Sequence, residues 1–190
     1  MNIQILEKIG EGTYGNVYKG IYNGGMCAIK EIKHENYYMK NLYWNNESMI
    51  FDKLSENCRH HVIKKLLHYS IDSNFYIVFE YINGPTVHTI IKKNSIKTRK
   101  KIGCSLLEDL IKGIAYIHCN NIYHLDIKDS NIMYDYIHFK YIDFGVSIMQ
   151  GEHIPGITLK YRNTIYYGAP YTHPPLHDQS EKPSTEIMKV

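Results

Sequence analysis

The sequence predicts an α+β fold in which a small, β-rich N-terminal lobe of five strands and one helix precedes a shortened, mainly helical C-terminal lobe. Three observations predict it: β-like runs separated by glycines, one helix-period segment among them, and helical periodicity after the turn-forming residues 83–85. We therefore assign residues 1–82 to the N-terminal lobe, 83–170 to the C-terminal lobe and 171–190 to an irregular tail, all within one domain.

Five segments have the composition of strands. Residues 4–9, 16–22 and 26–32 carry β-branched and aromatic side chains between glycines, which predicts three antiparallel strands. Residues 65–71 and 74–82 follow as two more. The last of these runs is almost continuously apolar, so we expect it to be buried on both faces of the sheet.

Two segments have the periodicity of helices. Residues 36–57 form the first, with Glu47 on the face that adjoins its apolar stripe, and residues 98–119 form the second. The stripe of the first helix comprises Leu42, Met49, Ile50, Lys53 and Leu54, and that of the second comprises Ile102, Leu106, Leu110, Ile114 and Ile117. After the second helix, the short apolar runs 132–134 and 138–142 predict a further pair of strands.

Composition excludes several classes of protein. The formal charge is only +3 and the basic residues are spread along the chain, so nucleic-acid binding is not indicated. The four cysteines form no C-x-x-C pair, which argues against a cysteine zinc site or a disulfide framework and predicts reduced core cysteines. No run approaches the about 18 apolar residues that span a bilayer. We expect no membrane association and an intracellular location, cytoplasmic or nuclear.

A glycine-rich segment, residues 10–15, has the spacing G-x-G-x-x-G. Glycines at this spacing let a backbone turn approach phosphate groups without clashes from Cβ atoms. A plain β-hairpin is the alternative. In a dinucleotide-binding fold a helix would follow the glycines, whereas here the strand-like run 16–22 follows, so that fold is excluded by context.

Lys30 ends a predicted buried strand, where an ammonium group is costly unless it is paired or bound to an anion. Glu47, seventeen residues later on the predicted helix, is a suitable partner. The alternative is a lysine on an edge strand that points to water.

Residues 124–131 and 143–145 place acids and an amide at the ends of short apolar runs. Oxygen ligands such as Asn131 and Asp143 suit Mg²⁺, and Asp126 remains to accept a proton. Each of these residues alone is also a common turn former, but all of them in this order favour a phosphate and divalent-cation site.

Taken in order, these motifs resemble the protein kinase family over residues 9 to about 170. The family's glycine-rich loop corresponds to residues 9–17, its strand lysine to Lys30, its helix glutamate to Glu47, its catalytic loop to residues 124–131 and its Asp-Phe-Gly motif to residues 143–145. Lys128, two residues after Asp126, and Thr164, before Ala169 and Pro170, resemble the serine/threonine branch.

The resemblance implies ATP and Mg²⁺ as cofactors and a protein substrate of unknown identity. It implies that Asp126 orients the acceptor hydroxyl and takes its proton, that Lys128 stabilises the γ-phosphate, and that Asn131 and Asp143 bind Mg²⁺. Its nucleotide-binding residues are Ile9, Gly10, Glu11, Gly12, Thr13, Tyr14, Gly15, Asn16, Val17, Ala28, Lys30, Glu47, Glu80, Ile82 and Met133.

The resemblance also implies how these residues divide the work. Backbone amides of residues 12–15 cover the phosphates, Val17 and Ala28 lie above the adenine, and Met133 lies below it. The backbone of residues 80–82 hydrogen-bonds to adenine, and Phe79 limits the depth of the pocket. Lys30, held by Glu47, contacts the α- and β-phosphates.

The chain departs from the family in three places. Leu125 stands where most relatives have arginine, so activation by phosphorylation within residues 146–168, where Thr158 and Tyr161 are available, is not favoured. Tyr171 stands where the family has glutamate. Residues 171–190 offer no apolar-periodic segment to complete the second lobe, which predicts a truncated lobe and leaves room for a partner protein that completes it.

Three functions follow from these patterns. An active serine/threonine kinase is predicted by Lys30, Asp126, Asn131 and Asp143; a pseudokinase-like module that binds nucleotide or a partner without turnover is predicted by the short second lobe. A non-functional remnant is the third reading, against which the intact motifs argue. Isoleucine, lysine, tyrosine and asparagine make up 80 of the 190 residues, a skew that resembles products of large DNA viruses and that an AT-rich protist would share.

Overall fold

A computed structural model describes residues 2–12, 15–54 and 60–151. Five antiparallel strands form the N-terminal sheet in the order β1-β2-β3-β5-β4. They are β1 (Ile3–Gly12), β2 (Gly15–Tyr22), β3 (Gly25–Ile32), β4 (Lys65–Ile71) and β5 (Asn74–Glu80), with helix α1 (Tyr37–Leu54) between β3 and β4. The predicted fold class of the N-terminal lobe is confirmed, and the strand boundaries differ from the predicted ones by at most three residues.

Strand β5 ends two residues before its predicted end at Ile82. Its last partner pair is Cys27 with Glu80, and the chain then crosses to the C-terminal lobe, where Thr86 pairs with Met133. The prediction that β5 is largely buried is confirmed, because four of its seven residues are buried: Phe75, Ile77, Val78 and Phe79.

The buried face of α1 differs from the predicted stripe. Met49 is 53% exposed and Lys53 is also exposed, so both predictions were wrong. The residues that α1 buries are Tyr43, Asn46, Glu47, Ser48, Ile50, Phe51 and Leu54. Glu47 therefore lies at the centre of the buried face, because an aromatic pair at positions 43 and 51 directs that side of the helix to the core.

The C-terminal lobe begins with two helices, α2 (Val87–Lys93) and α3 (Ile96–Cys119), which are capped at their N-termini by the side chains of Thr86 and Ser95. Helix α2 was not predicted, because seven residues are too few to show a helical period. The predicted stripe of α3 is confirmed, since its five residues are buried or pack against the main core.

Short strand pairs follow α3. Strand β6 (Ile122–Tyr123) pairs with β9 (Ile148–Met149), and β7 (Ile132–Tyr134) pairs with β8 (Phe139–Tyr141). A 3₁₀ turn at Asp129–Asn131 joins the loop after β6 to β7. The predicted catalytic loop, residues 124–131, lies between β6 and β7, and the Asp-Phe-Gly motif, residues 143–145, lies between β8 and β9. Each of these segments therefore has a strand on both sides.

The segment after α1, of which the structure describes residues 60–64, contacts both lobes. The backbone of Tyr141 in β8 donates to His61 at 2.9 Å and accepts from Ile63 at 2.9 Å. The Tyr116 hydroxyl on α3 donates to the carbonyl of Leu54 at the end of α1 at 2.9 Å. One apolar core accordingly runs from the sheet through α1 into α3 and β8.

The cysteines agree only in part with the predicted core positions. Cys27 is buried, whereas Cys104 and Cys119 are exposed on α3, and Cys58 lies outside the described residues. None of the described helices combines the length and apolarity needed to cross a membrane.

Candidate active site

A cleft between the N-terminal sheet and β7 is lined by seven of the fifteen predicted nucleotide-binding residues. The space between its walls is about 670 Å³ when the part that opens to solvent is counted. Its lining comprises Ile9, Val17, Ala28, Lys30, Ile63, Phe79, Glu80, Tyr81, Ile82, Asn131, Met133, Ile142 and Asp143. Tyr81 lies within the predicted backbone segment 80–82, whereas Ile63 and Ile142 were not predicted, because no local motif marks them.

Strand alternation explains why β3 supplies the cleft. Cys27 and Ile29 face away from it and pack in a separate apolar cluster with Val78. Ala28 and Lys30 therefore face the cleft, where Lys30 is the polar group at the end of an apolar wall.

A buried three-residue ion cluster, which we call the front cluster, lies at the inner end of this wall. Lys30 Nζ is 2.7 Å from Glu47 Oε1, 2.8 Å from Glu47 Oε2 and 2.9 Å from Asp143 Oδ1. The Glu47 side chain is only 1% exposed, whereas that of Asp143 is 38% exposed and opens to the cleft. The predicted Lys30–Glu47 pair is thus formed, and the same lysine also pairs with the Asp143 carboxylate.

The electrostatics of the front cluster follow from burial and from that shared lysine. Burial alone would lower the pKa of Lys30, but the Asp143 and Glu47 carboxylates outweigh it and raise that pKa. Burial raises the pKa of Glu47. Burial would also raise the pKa of Asp143, but the nearby Lys30 ammonium lowers it to about 2. Lys30 and Asp143 therefore stay charged across the physiological range.

The catalytic-loop side chains form a second polar group. Lys128 Nζ donates to Asp126 Oδ2 at 2.7 Å, and Asn131 Nδ2 donates to the same oxygen at 2.9 Å and to the Asp126 carbonyl at 3.0 Å. Asn131 also lines the cleft together with Asp143. The loop thus brings Asp126, Lys128 and Asn131 together.

An aromatic column connects the two polar groups through the core. The Phe51 ring of α1 contacts Phe79 of β5 at 4.8 Å between centroids and Phe144 at 4.9 Å, and Phe144 contacts the His124 ring at 4.6 Å. Phe144 is fully buried and His124 is 1% exposed. Burial lowers the pKa of His124 to about 4, so its imidazole is neutral at pH 7. Phe79 closes the back of the cleft because its ring is fixed in this column.

The glycine-rich hairpin joins β1 and β2, with Gly12 opposite Gly15. A Cβ added at Gly15 would lie 2.2 Å from the Glu31 carbonyl oxygen, so β3 itself requires glycine there. Among the described residues, a Cβ at Gly12 would meet nothing closer than the Gly15 carbonyl oxygen at 4.0 Å. The described part of the hairpin therefore has room for a side chain at Gly12.

The remaining predicted hairpin residues take different positions. Asn16 is buried, and its Nδ2 donates to Tyr18 at 3.0 Å and to Glu31 at 3.1 Å, so it is absent from the cleft lining. Glu11 accepts an exposed hydrogen bond from Lys8, and Gly10 pairs with Val17. The structure does not describe Thr13 and Tyr14.

Leu125 packs among apolar side chains at the position where most members of the family have arginine. It adopts a left-handed backbone with φ of 62° and is buried in a small cluster with Val146 and Ile148, against which Leu42 also packs. The segment after the Asp-Phe-Gly motif is thereby attached to the catalytic loop by apolar contacts. Predictions on Thr158, Tyr161, Thr164, residues 169–171 and the tail fall outside the described residues.

Comparison with known proteins adds sequence relatives to this geometry. A sequence model of the protein kinase domain matches residues 3–183. Cyclin-dependent kinase 12 of Caenorhabditis elegans is 32% identical over 144 residues, which cover 68% of this chain and 19% of that protein. A probable serine/threonine-protein kinase of Dictyostelium discoideum is 29% identical over 154 residues, or 79% of this chain and 16% of that protein. The chain thus spans less than a fifth of the length of these relatives.

Proposed function

Because this chain belongs to the protein kinase domain family, we propose that it transfers the γ-phosphoryl group of ATP to serine or threonine hydroxyls of proteins. The observation that carries this proposal is the front cluster, in which Lys30 is held by Glu47 at 2.7 Å and contacts Asp143 in the lining of the cleft at 2.9 Å. Phosphoryl transfer depends on positioning and charge neutralisation, and these residues supply both.

The cleft fits the proposed cofactors. Its apolar walls at Val17, Ala28 and Met133 suit a flat adenine ring, and its polar end contains one ammonium, one carboxylate and the Asn131 amide. Carboxylate and amide oxygens are the ligands that Mg²⁺ prefers. When bound, Mg²⁺-ATP supplies the transferable phosphoryl group and metal charge close to it.

Each polar residue then has a defined task. Lys30 holds the α- and β-phosphates, and Asn131 and Asp143 hold Mg²⁺. Asp126 orients the acceptor hydroxyl and accepts its proton, and Lys128, already 2.7 Å from Asp126, compensates negative charge on the γ-phosphate. The serine/threonine preference rests on Lys128 and on the similarity to a probable serine/threonine-protein kinase of Dictyostelium discoideum.

A second candidate is a nucleotide-binding module without turnover. The observation that favours it is the 2.9 Å contact between Lys30 Nζ and Asp143 Oδ1, because it engages one of the two carboxylate oxygens that could hold a metal ion. If the metal ion is then held too weakly, the cleft binds nucleotide without transferring its phosphoryl group.

The test measures phosphate transfer from labelled ATP with Mg²⁺ to generic protein substrates. We expect transfer by the intact chain and a loss of about 10²–10⁴-fold in Asp126→Asn, because that change removes the proton acceptor. Asp129→Asn is the matched control and should remain active. Asp129 pairs with His88 at 2.8 Å and does not belong to the group formed by Asp126, Lys128 and Asn131.

Two results would decide against the kinase. If the intact chain transfers no more phosphate than Asp126→Asn does, the proposed phosphoryl transfer is wrong. If ATP with Mg²⁺ still raises the melting temperature in that case, the binding module is correct, because a ligand of the folded state stabilises it. No transfer and no stabilisation overturn both.

Regulation and cellular context remain proposals. The Leu125 cluster supports control that does not depend on phosphorylation of residues 146–168, because no guanidinium is present at position 125 to bind a phosphate. An intracellular location, a partner that completes the second lobe and an origin in a large DNA virus stay predictions from sequence alone.

A further inference from the structure

Behind the cleft, three potential metal ligands meet from three separate elements. His61 precedes β4, Asp109 lies on α3, and His138 lies in the turn between β7 and β8. Their ligating atoms all lie within 4.8 Å of one another. We call this group the back cluster.

Two of the distances in the back cluster match those between ligands of one zinc ion. Asp109 Oδ1 lies 3.4 Å from His61 Nδ1 and 3.4 Å from His138 Nδ1. A tetrahedral zinc ion with bonds of about 2.0–2.1 Å holds its ligand atoms about 3.3–3.4 Å apart. We propose that His61, Asp109 and His138 bind one zinc ion, at a site separate from the nucleotide cleft.

An unpaired polar atom supports this assignment independently of those distances. The His61 side chain is 9% exposed, and its Nδ1 makes no hydrogen bond of acceptable geometry within the described part of the chain. A buried polar atom of this kind costs free energy unless it finds a partner. Because Nδ1 faces the carboxylate, a cation between them would satisfy both groups.

The charge of Asp109 points the same way. Its side chain is 7% exposed, and within the described ranges its ion-pair partners are the two imidazoles. Its other oxygen accepts from the Phe139 backbone N–H at 2.8 Å, which fixes the carboxylate. The nearby Lys112 is paired with Glu108.

The chemistry favours zinc over magnesium. Two imidazoles and one carboxylate suit zinc, whereas Mg²⁺ prefers oxygen ligands and retains water. His138 is 37% exposed, so the site opens to solvent on that side. A fourth ligand is then water or His60, whose ring centroid lies 5.2 Å from that of His138.

The position of the site indicates a structural role. His61 is already hydrogen-bonded through its backbone to Tyr141 in β8, so a metal there would fasten the segment after α1 to α3 and to the β7–β8 turn. The expected effect is higher stability of the folded chain, with no direct part in phosphoryl transfer.

Zinc binding to the full chain tests the proposal, after removal of metal with a chelator. Excess Mg²⁺ is included so that the oxygen ligands of the cleft are occupied. Competition with a chromogenic chelator gives zinc stoichiometry and affinity, and Co²⁺ in place of zinc gives a visible absorption band typical of tetrahedral nitrogen and oxygen ligands. The informative variant is His138→Gln, because its partly exposed side chain is the easiest of the three to replace without unfolding.

We expect His138→Gln to lose the tightest zinc equivalent, with an affinity at least about a hundredfold lower, and to lose the rise in melting temperature that zinc gives the intact chain. His118→Gln is the matched control, since His118 is exposed on the same helix as Asp109, and it should behave as the intact chain does. Equal zinc affinity in the intact chain and in a folded His138→Gln, or no stabilisation of the intact chain by zinc, overturns the proposal. Asp109→Asn, checked for folding by circular dichroism, provides the second comparison.

Discussion

The front and back clusters bury carboxylates at the same junction between the lobes, but they neutralise them differently. At the front, Lys30 lies within 2.9 Å of both Glu47 and Asp143. At the back, Asp109 faces two imidazoles at 3.4 Å. A lysine is a cation at any physiological pH, whereas an imidazole becomes one only by binding a proton and contributes to one only by binding a metal. In the front cluster the Lys30 ammonium therefore neutralises carboxylate charge at every physiological pH. In the back cluster, neutralisation of Asp109 depends on whether the imidazoles bind a proton or a metal ion.

The largest expected effect tests whether the front lysine acts beyond simple charge pairing. Lys30→Met should lower kcat/KM by about 10²–10³-fold, since it removes the cation aimed at the phosphates. Lys65→Met is the matched control, because Lys65 likewise pairs with α1, at Asp52, but lies outside the cleft lining. Steady-state kinetics with ATP as the varied substrate give both values. A similar loss in the two variants would show that the front cluster serves only to hold α1.

The next effect is on the pH dependence of the free energy of unfolding, in which buried His124 and Asp143 act in different pH ranges. The pKa of buried His124 is lowered to about 4 from an ordinary value of 6.5. The unfolded chain therefore binds this proton first, and the free energy of unfolding falls by about 3 kcal/mol as the pH drops from 6.5 to 4. The loss linked to Asp143, whose pKa is about 2, comes only below pH 4, as the pH falls through that value. Urea denaturation at a series of pH values measures both windows.

His124→Asn should flatten the curve between pH 6.5 and 4, whereas His118→Gln, at an exposed histidine, should leave it unchanged. An unaltered slope in His124→Asn would assign the acid sensitivity to other histidines, among them His61 of the back cluster, whose pKa is also lowered by burial.

A smaller effect tests how tightly the back of the junction is packed. A Cβ at Gly113 would lie 2.6 Å from the Tyr141 ring and 3.1 Å from His61 Cβ, whereas a Cβ at Gly103 on the same helix meets nothing within 4 Å. Gly113→Ala should destabilise by about 1–3 kcal/mol through overpacking. Gly103→Ala should stabilise by up to about 1 kcal/mol, because alanine favours helix. Equal shifts in melting temperature would show that α3 can move away from β8 without cost.

The smallest effect concerns the hairpin over the front cluster. Gly12→Ala should keep the stability of the chain, since its Cβ has space, but weaken ATP binding about tenfold if one backbone hydrogen bond to a phosphate is lost. Gly15→Ala should instead lower stability, because its Cβ meets the Glu31 carbonyl. Calorimetric titration and thermal denaturation of both variants distinguish the two glycines.

The front cluster was predictable from sequence and the back cluster was not. Lys30, Glu47 and Asp143 each belong to a motif whose order along the chain is recognisable. His61, Asp109 and His138 lie far apart in sequence and in no motif. They meet because β8 pairs with residues 61–63 through the Tyr141 backbone and contacts Asp109 of α3 through the Phe139 N–H. The buried face of α1 was misassigned for a related reason, since helical periodicity alone does not decide between Met49 and Phe51.

The aromatic column through Phe51 and Phe144 also determines which synthetic ligands this cleft accepts. A compound that reaches past Phe79 into the space of the Phe144 ring must first expel a fully buried phenyl group. Exposing that ring costs about 2 kcal/mol, which lowers affinity by roughly thirtyfold. Ligands of this cleft should therefore be short, and confined to the slot in front of Phe79.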